Sequence, residues 1–232
     1  MCEKISKKEF PFILSLGVST KERSDQQFNE IIISARDSMY RNKLISGKNT
    51  PGSVVFSLVD SLLENGYETK EHTKRVEKMA GELARGLGLT KSKTDELSML
   101  ASLHDLGKVA ISDNTLKDKE KLSNKDWEVM KSYPEIGYNI AKSLFKFAHI
   151  AEYILHHHER WDGLGYPMKL KGTDIPLLSR IMAIVDAYDV MRSGRFYKRT
   201  MTREDAIKEL RKCSGKQFDP KLVEEFISII GE

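Results

Sequence analysis

From Val54 to the C-terminus, segment after segment of this chain repeats apolar residues at helical spacing, and no run of comparable strength reads as a strand. Helices are expected over Val54–Leu63, Glu68–Leu87, Thr94–Leu106, Asp126–Ser132, 136–158 and Asp174–Met191. Their ends carry recognisable punctuation. Gly86 and Gly88 close the second, and Gly107 stops the third. Ser123 with Asp126 resembles a capping box, and Pro134 and Gly137 punctuate the chain before the helix 136–158. Thr202 with Asp205 reads as another cap, and Asp219-Pro220 places a proline where a helix best accepts one. The fold class is therefore mainly α, an all-helical bundle over roughly residues 53–232.

Several of these apolar helices carry histidine or aspartate where packing alone gives them no reason to be. His104-Asp105 ends the run SMLASLHDLGK, and three histidines, His156 to His158, follow Ile150, Tyr153, Ile154 and Leu155. Asp186 and Asp189 interrupt RIMAIVDAYDVM, and Glu68 and His72 lie one turn apart. Each signal has a bland reading. His104-Asp105 is also a hydrogen-bonded pair at a helix end, Glu68–His72 an exposed pair, and the aspartates partners for Arg180 and Arg192. Five of the six histidines fall in these places. Buried polar groups need partners, and neutral imidazole is the commonest protein ligand for metal. Histidines and carboxylates recurring on successive helices suit a polynuclear metal site inside a bundle. Such a site polarises a phosphoryl oxygen and lowers the pKa of a bound water, which makes a metal-assisted hydrolase the first hypothesis. Of the two aspartates, one reads as a ligand and the other as an acceptor behind a ligand histidine. Lys108, and Arg195 and Lys198 beside Phe196 and Tyr197, are cations suited to phosphate.

Composition narrows the field. The 232 residues are 40% apolar and 31% charged, enough for a core, with a net charge of +4 that does not demand a polymeric nucleic acid. Cys2 and Cys213 form no metal-type spacing and no disulfide framework, which fits a reducing cytoplasm. The apolar run Phe10–Val18 is too short to span a bilayer, and no signal-peptide pattern opens the sequence, so a soluble cytoplasmic chain without a membrane span is expected.

HDLGK (104–108), HHERWDGLGYP (157–167) and DAYDVM (186–191), in that order, resemble the HD-GYP branch of the HD phosphohydrolases. The resemblance runs from about residue 60 to 230 and includes YETKEHTKRV (67–76) and QFDPKLVEEF (217–226). It implies an HD-type bundle that hydrolyses cyclic di-GMP to pGpG or GMP, using two or three divalent transition metal ions, iron or manganese. It further implies metal ligation by His72, His104, Asp105, His157, His158 and Asp186, with Glu68 at a position associated with a third ion. Asp105 and Lys108 are the implied catalytic residues, and Lys108, Tyr166, Asp189, Arg195 and Lys198 the implied contacts to substrate. One position departs from the pattern. Tyr133 of YPEIG stands where the family usually has a ligand histidine before the proline. A neutral phenol is a poor ligand, whereas a phenolate can bind iron. His149 and His156 are the candidate substitutes.

Residues 1–50 are expected to form a separate strand and helix, joined through SGKNTPGS (46–53) to a second domain over 51–232. ILSLGVS (13–19) and ARDSMYRNKLISGKN (35–49) resemble the last strand and helix of a GGDEF, or diguanylate cyclase, domain, without the signature that names it. The expected partners are cyclic di-GMP, and either a GGDEF-type domain or a second copy of the chain. Two other readings compete with a cyclic di-GMP phosphodiesterase. One is a degenerate cyclic di-GMP sensor or interaction module disabled by Tyr133. The other is an HD hydrolase of another cyclic nucleotide.

Overall fold

The structure is a computed structural model that describes residues 69–111, 123–193 and 200–231, with isolated positions between 18 and 35. The chain divides into two compact units, Met1–Ser57 and Leu58–Glu232. The expected strand over 10–19, the helix over 54–63 and the 50/51 boundary lie outside the described residues. Everything below concerns the second unit.

That unit is built of helices: α1 (Lys70–Gly86), α2 (Lys91–Leu103), α3 (Asn124–Met130), α4 (Tyr133–Ser143), α5 (Ala151–His156), α6 (Leu177–Ser193), α7 (Arg203–Cys213) and α8 (Pro220–Gly231). Short 3-10 turns lie at Leu106–Ala110, Ala148–Ile150 and Gly172–Asp174. Among the described residues the nearest thing to a sheet is one isolated bridge, Ser214 to Phe218.

The caps expected at Ser123, Thr202 and Asp219 form, and Thr69 adds one that the sequence reading did not name. Thr69 accepts from the backbone N–H of His72 at 3.0 Å and so starts α1 at the first histidine of interest. The Ser123/Asp126 capping box forms in both directions, and Thr202 caps α7 through Asp205. Asp219 accepts from the N–H of Lys221 at the head of α8.

The core explains why polar side chains end up inside. On α1 the buried residues are His72, Val76, Ala80, Leu83 and Ala84, a single stripe at helical spacing. On α6 Leu178, Ile181, Met182, Val185 and Asp189 share such a stripe. α1 packs against α2 and α6, and α4 packs against α5 and the 3-10 turn at 106–110. Any side chain on those stripes is carried into the interior, whatever its polarity.

Several boundaries differ from expectation. The helix expected over Thr94–Leu106 runs Lys91–Leu103, with Gly107 inside the 3-10 turn that follows, and the one expected over Asp174–Met191 runs Leu177–Ser193. The helix expected over 136–158 is two helices. Leu144 leaves helical backbone at φ −114°, ψ 107°, and the turn that follows buries Phe147 and Ile150 while leaving Phe145 exposed. No Gly or Pro marks that break, so nothing local announces it. Gly137 does not punctuate a helix start but lies inside α4, which begins at Tyr133 with Pro134 in its first turn.

Candidate metal centre

His72, His104 and Asp186 come from α1, the end of α2 and α6, and their ligand atoms all lie within 4.8 Å of one another. The local chain explains the approach. α2 ends at Leu103, His104 caps it, and Asp105 takes φ −93°, ψ 8° before the 3-10 turn begins. Leaving the helix at this point turns both side chains inward, where His104 is 3% and Asp105 5% exposed.

The imidazoles are oriented alike. His72 Nδ1 lies 2.7 Å from Asp189 Oδ2, His104 Nδ1 lies 3.1 Å from the Ala101 carbonyl, and His157 Nδ1 lies 2.6 Å from the Ile154 carbonyl. A carbonyl oxygen only accepts, so Nδ1 carries the proton in His104 and His157, and Nε2 is left as the donor atom for a metal. His72 Nε2 faces Asp186 Oδ1 at 3.5 Å, and that carboxylate oxygen is buried with no hydrogen-bond partner among the described residues. A buried carboxylate oxygen of this kind, beside two imidazole Nε2 atoms, fits a divalent cation. Asp105 adds a second carboxylate, with Oδ2 3.6 Å from His104 Nε2.

Burial sets the charge state on the other side of the centre. His157 is held down to about pKa 4 by burial, with neighbouring His104 adding to the effect. His158 is lowered further by burial and by His157. Both are therefore neutral near pH 7, the form that ligates metal. Burial, with Asp105 and Tyr166 nearby, pushes the Tyr133 phenol well above its ordinary value. Its hydroxyl hydrogen-bonds His158 Nε2 and lies 3.1 Å from His157 Nε2.

Several residues expected at the site have other commitments. Both oxygens of Asp189 are engaged, by His72 at 2.7 Å and by the Arg75 guanidinium at 2.6 and 2.9 Å. Burial would raise its pKa, but those hydrogen bonds outweigh it and hold the carboxylate ionised. Asp189 thus lies behind the His72 ring, with its carboxylate committed to that ring and to Arg75. Lys108 is buried, ion-paired to Asp105, and 5.3 Å from the centroid of the Tyr133 ring. His149 is exposed, and His156 faces Glu152 and Glu159, so neither reaches the place that Tyr133 occupies. Glu68, Arg195 and Lys198 lie outside the described residues.

The loop after α5 folds back over the centre. The Tyr166 ring stacks on His158 at 5.0 Å between centroids, and its N–H donates to the His158 carbonyl at 3.3 Å. Gly165 is required there, since a Cβ would sit 2.3 Å from the Arg160 nitrogen. Glu159, which sequence reasoning missed, anchors the far side: its buried carboxylate accepts from the N–H groups of Met168 at 2.6 Å and Leu170 at 3.1 Å. Arg75 was missed as well. The one signal for it is its position one turn after His72.

This geometry has counterparts in known proteins. The family profile of the HD domain matches residues 58–222. A 3'3'-cGAMP-specific phosphodiesterase 2 of Vibrio cholerae serotype O1 is 37% identical over 197 residues, covering 81% of this chain and 38% of that protein. A cyclic di-GMP phosphodiesterase of Thermotoga maritima is 38% identical, covering 75% of this chain and 48% of its own length. The cyclic di-GMP phosphodiesterase response regulator RpfG of Xanthomonas campestris pv. campestris is 39% identical, covering 68% and 43%. The chain therefore spans less than half the length of each of these relatives. A crystal structure of a cyclic GMP-AMP specific phosphodiesterase from V. cholerae shares the fold with a TM-score of 0.60 at 24% identity, over 80% of this chain and 50% of that one. With its HDLGK, HHERWDGLGYP and DAYDVM motifs on one set of helices, the chain belongs to the HD domain family, in its HD-GYP branch.

Proposed function

We propose that this unit is a metal-dependent phosphodiesterase acting on cyclic di-GMP. One observation carries the proposal: the convergence of His72, His104 and Asp186 within 4.8 Å, with the Nδ1 proton of each histidine turned away from the shared point. His72, His104, Asp186 and Asp105 would hold the ion, iron or manganese. A divalent cation there would polarise a phosphoryl oxygen and activate water at neutral pH.

The chain's own residues supply the rest. Asp189 and Arg75 fix the His72 ring, and neutral His157 and His158 line the opposite wall. Lys108 brings a cation beside Asp105 to balance the charge that develops on phosphorus. Tyr166 offers a ring at the mouth for a base, and Arg195 and Lys198 are placed by sequence to meet phosphates. The likeness to relatives named for cyclic di-GMP supports the substrate class. A relative named for 3'3'-cGAMP supports a second reading, in which the substrate is a mixed cyclic dinucleotide.

Anaerobic loading with Mn(II) or Fe(II), followed by an assay that resolves pGpG from GMP, tests the proposal. Hydrolysis is expected, and His104→Ala with Asp105→Ala should abolish both metal binding and turnover. Turnover by that double variant would sink the assignment. Cyclic GMP-AMP cleaved faster than cyclic di-GMP would favour the second reading. Tight binding of cyclic di-GMP with no product would favour a sensor.

A further inference from the structure

The resemblance to HD-GYP proteins implies a second ion held by Asp105, His157 and His158. In this chain the two imidazoles already share one partner. The Tyr133 hydroxyl is hydrogen-bonded to His158 Nε2 and lies 3.1 Å from His157 Nε2, with the Asp105 carboxylate near enough to help raise its pKa. Its ring is 3% exposed and is held from behind. The Tyr133 carbonyl lies against Gly107 so closely that no Cβ fits between them, and the Lys108 ammonium sits 5.3 Å from the ring centroid. A metal bound by these donors would need to stand about 2.0–2.2 Å from each of them. The phenol oxygen already sits against both imidazole Nε2 atoms, and its ring is buried.

We infer that Tyr133 closes the second metal position, so that His157 and His158 act in this chain as hydrogen-bonding groups and bind no ion, while the His72–His104–Asp186 group binds alone. A second consequence follows from charge. Asp105 is ion-paired with the buried Lys108. The positive charge near the scissile phosphate then comes from one ion and one lysine. This inference rests on the metal-dependent reading above, but its test reads metal content and is independent of turnover.

The experiment is metal analysis of the full chain, loaded anaerobically with Mn(II) and desalted, together with the Mn(II) electron paramagnetic resonance spectrum. His158→Ala should keep the wild-type metal content, and His104→Ala should lose it. Tyr133→His should take up about one further ion per chain and develop the signal of an exchange-coupled pair, because it restores a nitrogen donor at the point the phenol fills. Two results would overturn the inference. One is metal content that falls in His158→Ala, which would make that histidine a ligand in the native chain. The other is a Tyr133→His variant that folds, as judged by its helical circular dichroism, yet gains no metal. Tyr133→Phe keeps the ring and removes only the oxygen. It should hold at least the wild-type content, any gain supporting the closure, and a loss of metal there would equally refute the inference, since it would make the phenol oxygen a ligand. Failure to hydrolyse any cyclic dinucleotide would count against the phosphodiesterase reading and leave these metal counts unchanged.

Discussion

Replacing Gly107 with alanine should drive apart the two elements that bring Asp105, Lys108 and Tyr133 together. The 3-10 turn at 106–110 rests on the first turn of α4 backbone against backbone. A Cβ at residue 107 would lie 1.9 Å from the Tyr133 carbonyl oxygen and 2.7 Å from the Gly137 nitrogen. An ordinary carbon–oxygen contact is about 3.4 Å, so the turn or the helix must retreat by more than ~1 Å, and neither obstacle is a side chain that can swing aside. Overpacking of this kind costs about 3 kcal/mol, which for a unit of this size lowers the melting temperature by about 10 °C. The same displacement pulls on His104, which immediately precedes that turn, so Mn(II) affinity should fall as well. Thermal unfolding by circular dichroism and an isothermal Mn(II) titration measure the two effects. A variant that melts within about 2 °C of wild type and binds Mn(II) normally would refute the close backbone approach.

Two further predictions concern the histidines. Asp189→Asn removes the carboxylate that orients His72 and pairs with Arg75, so metal affinity should fall about 10- to 100-fold, as for other partners of ligand histidines; an unchanged titration would rule out the positioning role. In chelator-treated protein, His157 titrates near 4 instead of its ordinary 6.5, so between those values the unfolded chain takes up a proton that the folded chain refuses. The stability this group contributes is complete above pH 6.5 and is lost as pH falls towards 4, by about 3 kcal/mol in all. Urea midpoints at pH 7 and pH 4.5 should show the drop, and His157→Gln should reduce it. An equal drop in that variant would assign the effect to other groups.

The sequence by itself determined the all-helical class, because apolar residues at a 3.6-residue period bury a stripe in any context, and the caps at Ser123, Thr202 and Asp219 are local chemistry. It also singled out His72, His104, Asp105, His157, His158 and Asp186, since a motif order is legible without coordinates. What it left open depends on residues far apart in the chain. Asp189 is separated from His72 by 117 positions, and only the packing of α1 on α6 shows that its carboxylate is committed to that ring and to Arg75. Glu159 looks like one more charge in a polar run until the loop folds and presents two backbone N–H groups to it. The break at Leu144 has no Gly or Pro to mark it, since burial of Phe147 and Ile150 decides it. Tyr133 shows the division most clearly. Its identity as a missing histidine is written in the sequence, but that its hydroxyl meets both His157 and His158 is a fact of tertiary packing. A one-dimensional pattern specifies which donors exist; the distances among them, which decide how many cations can bind, arise only when the helices are brought together.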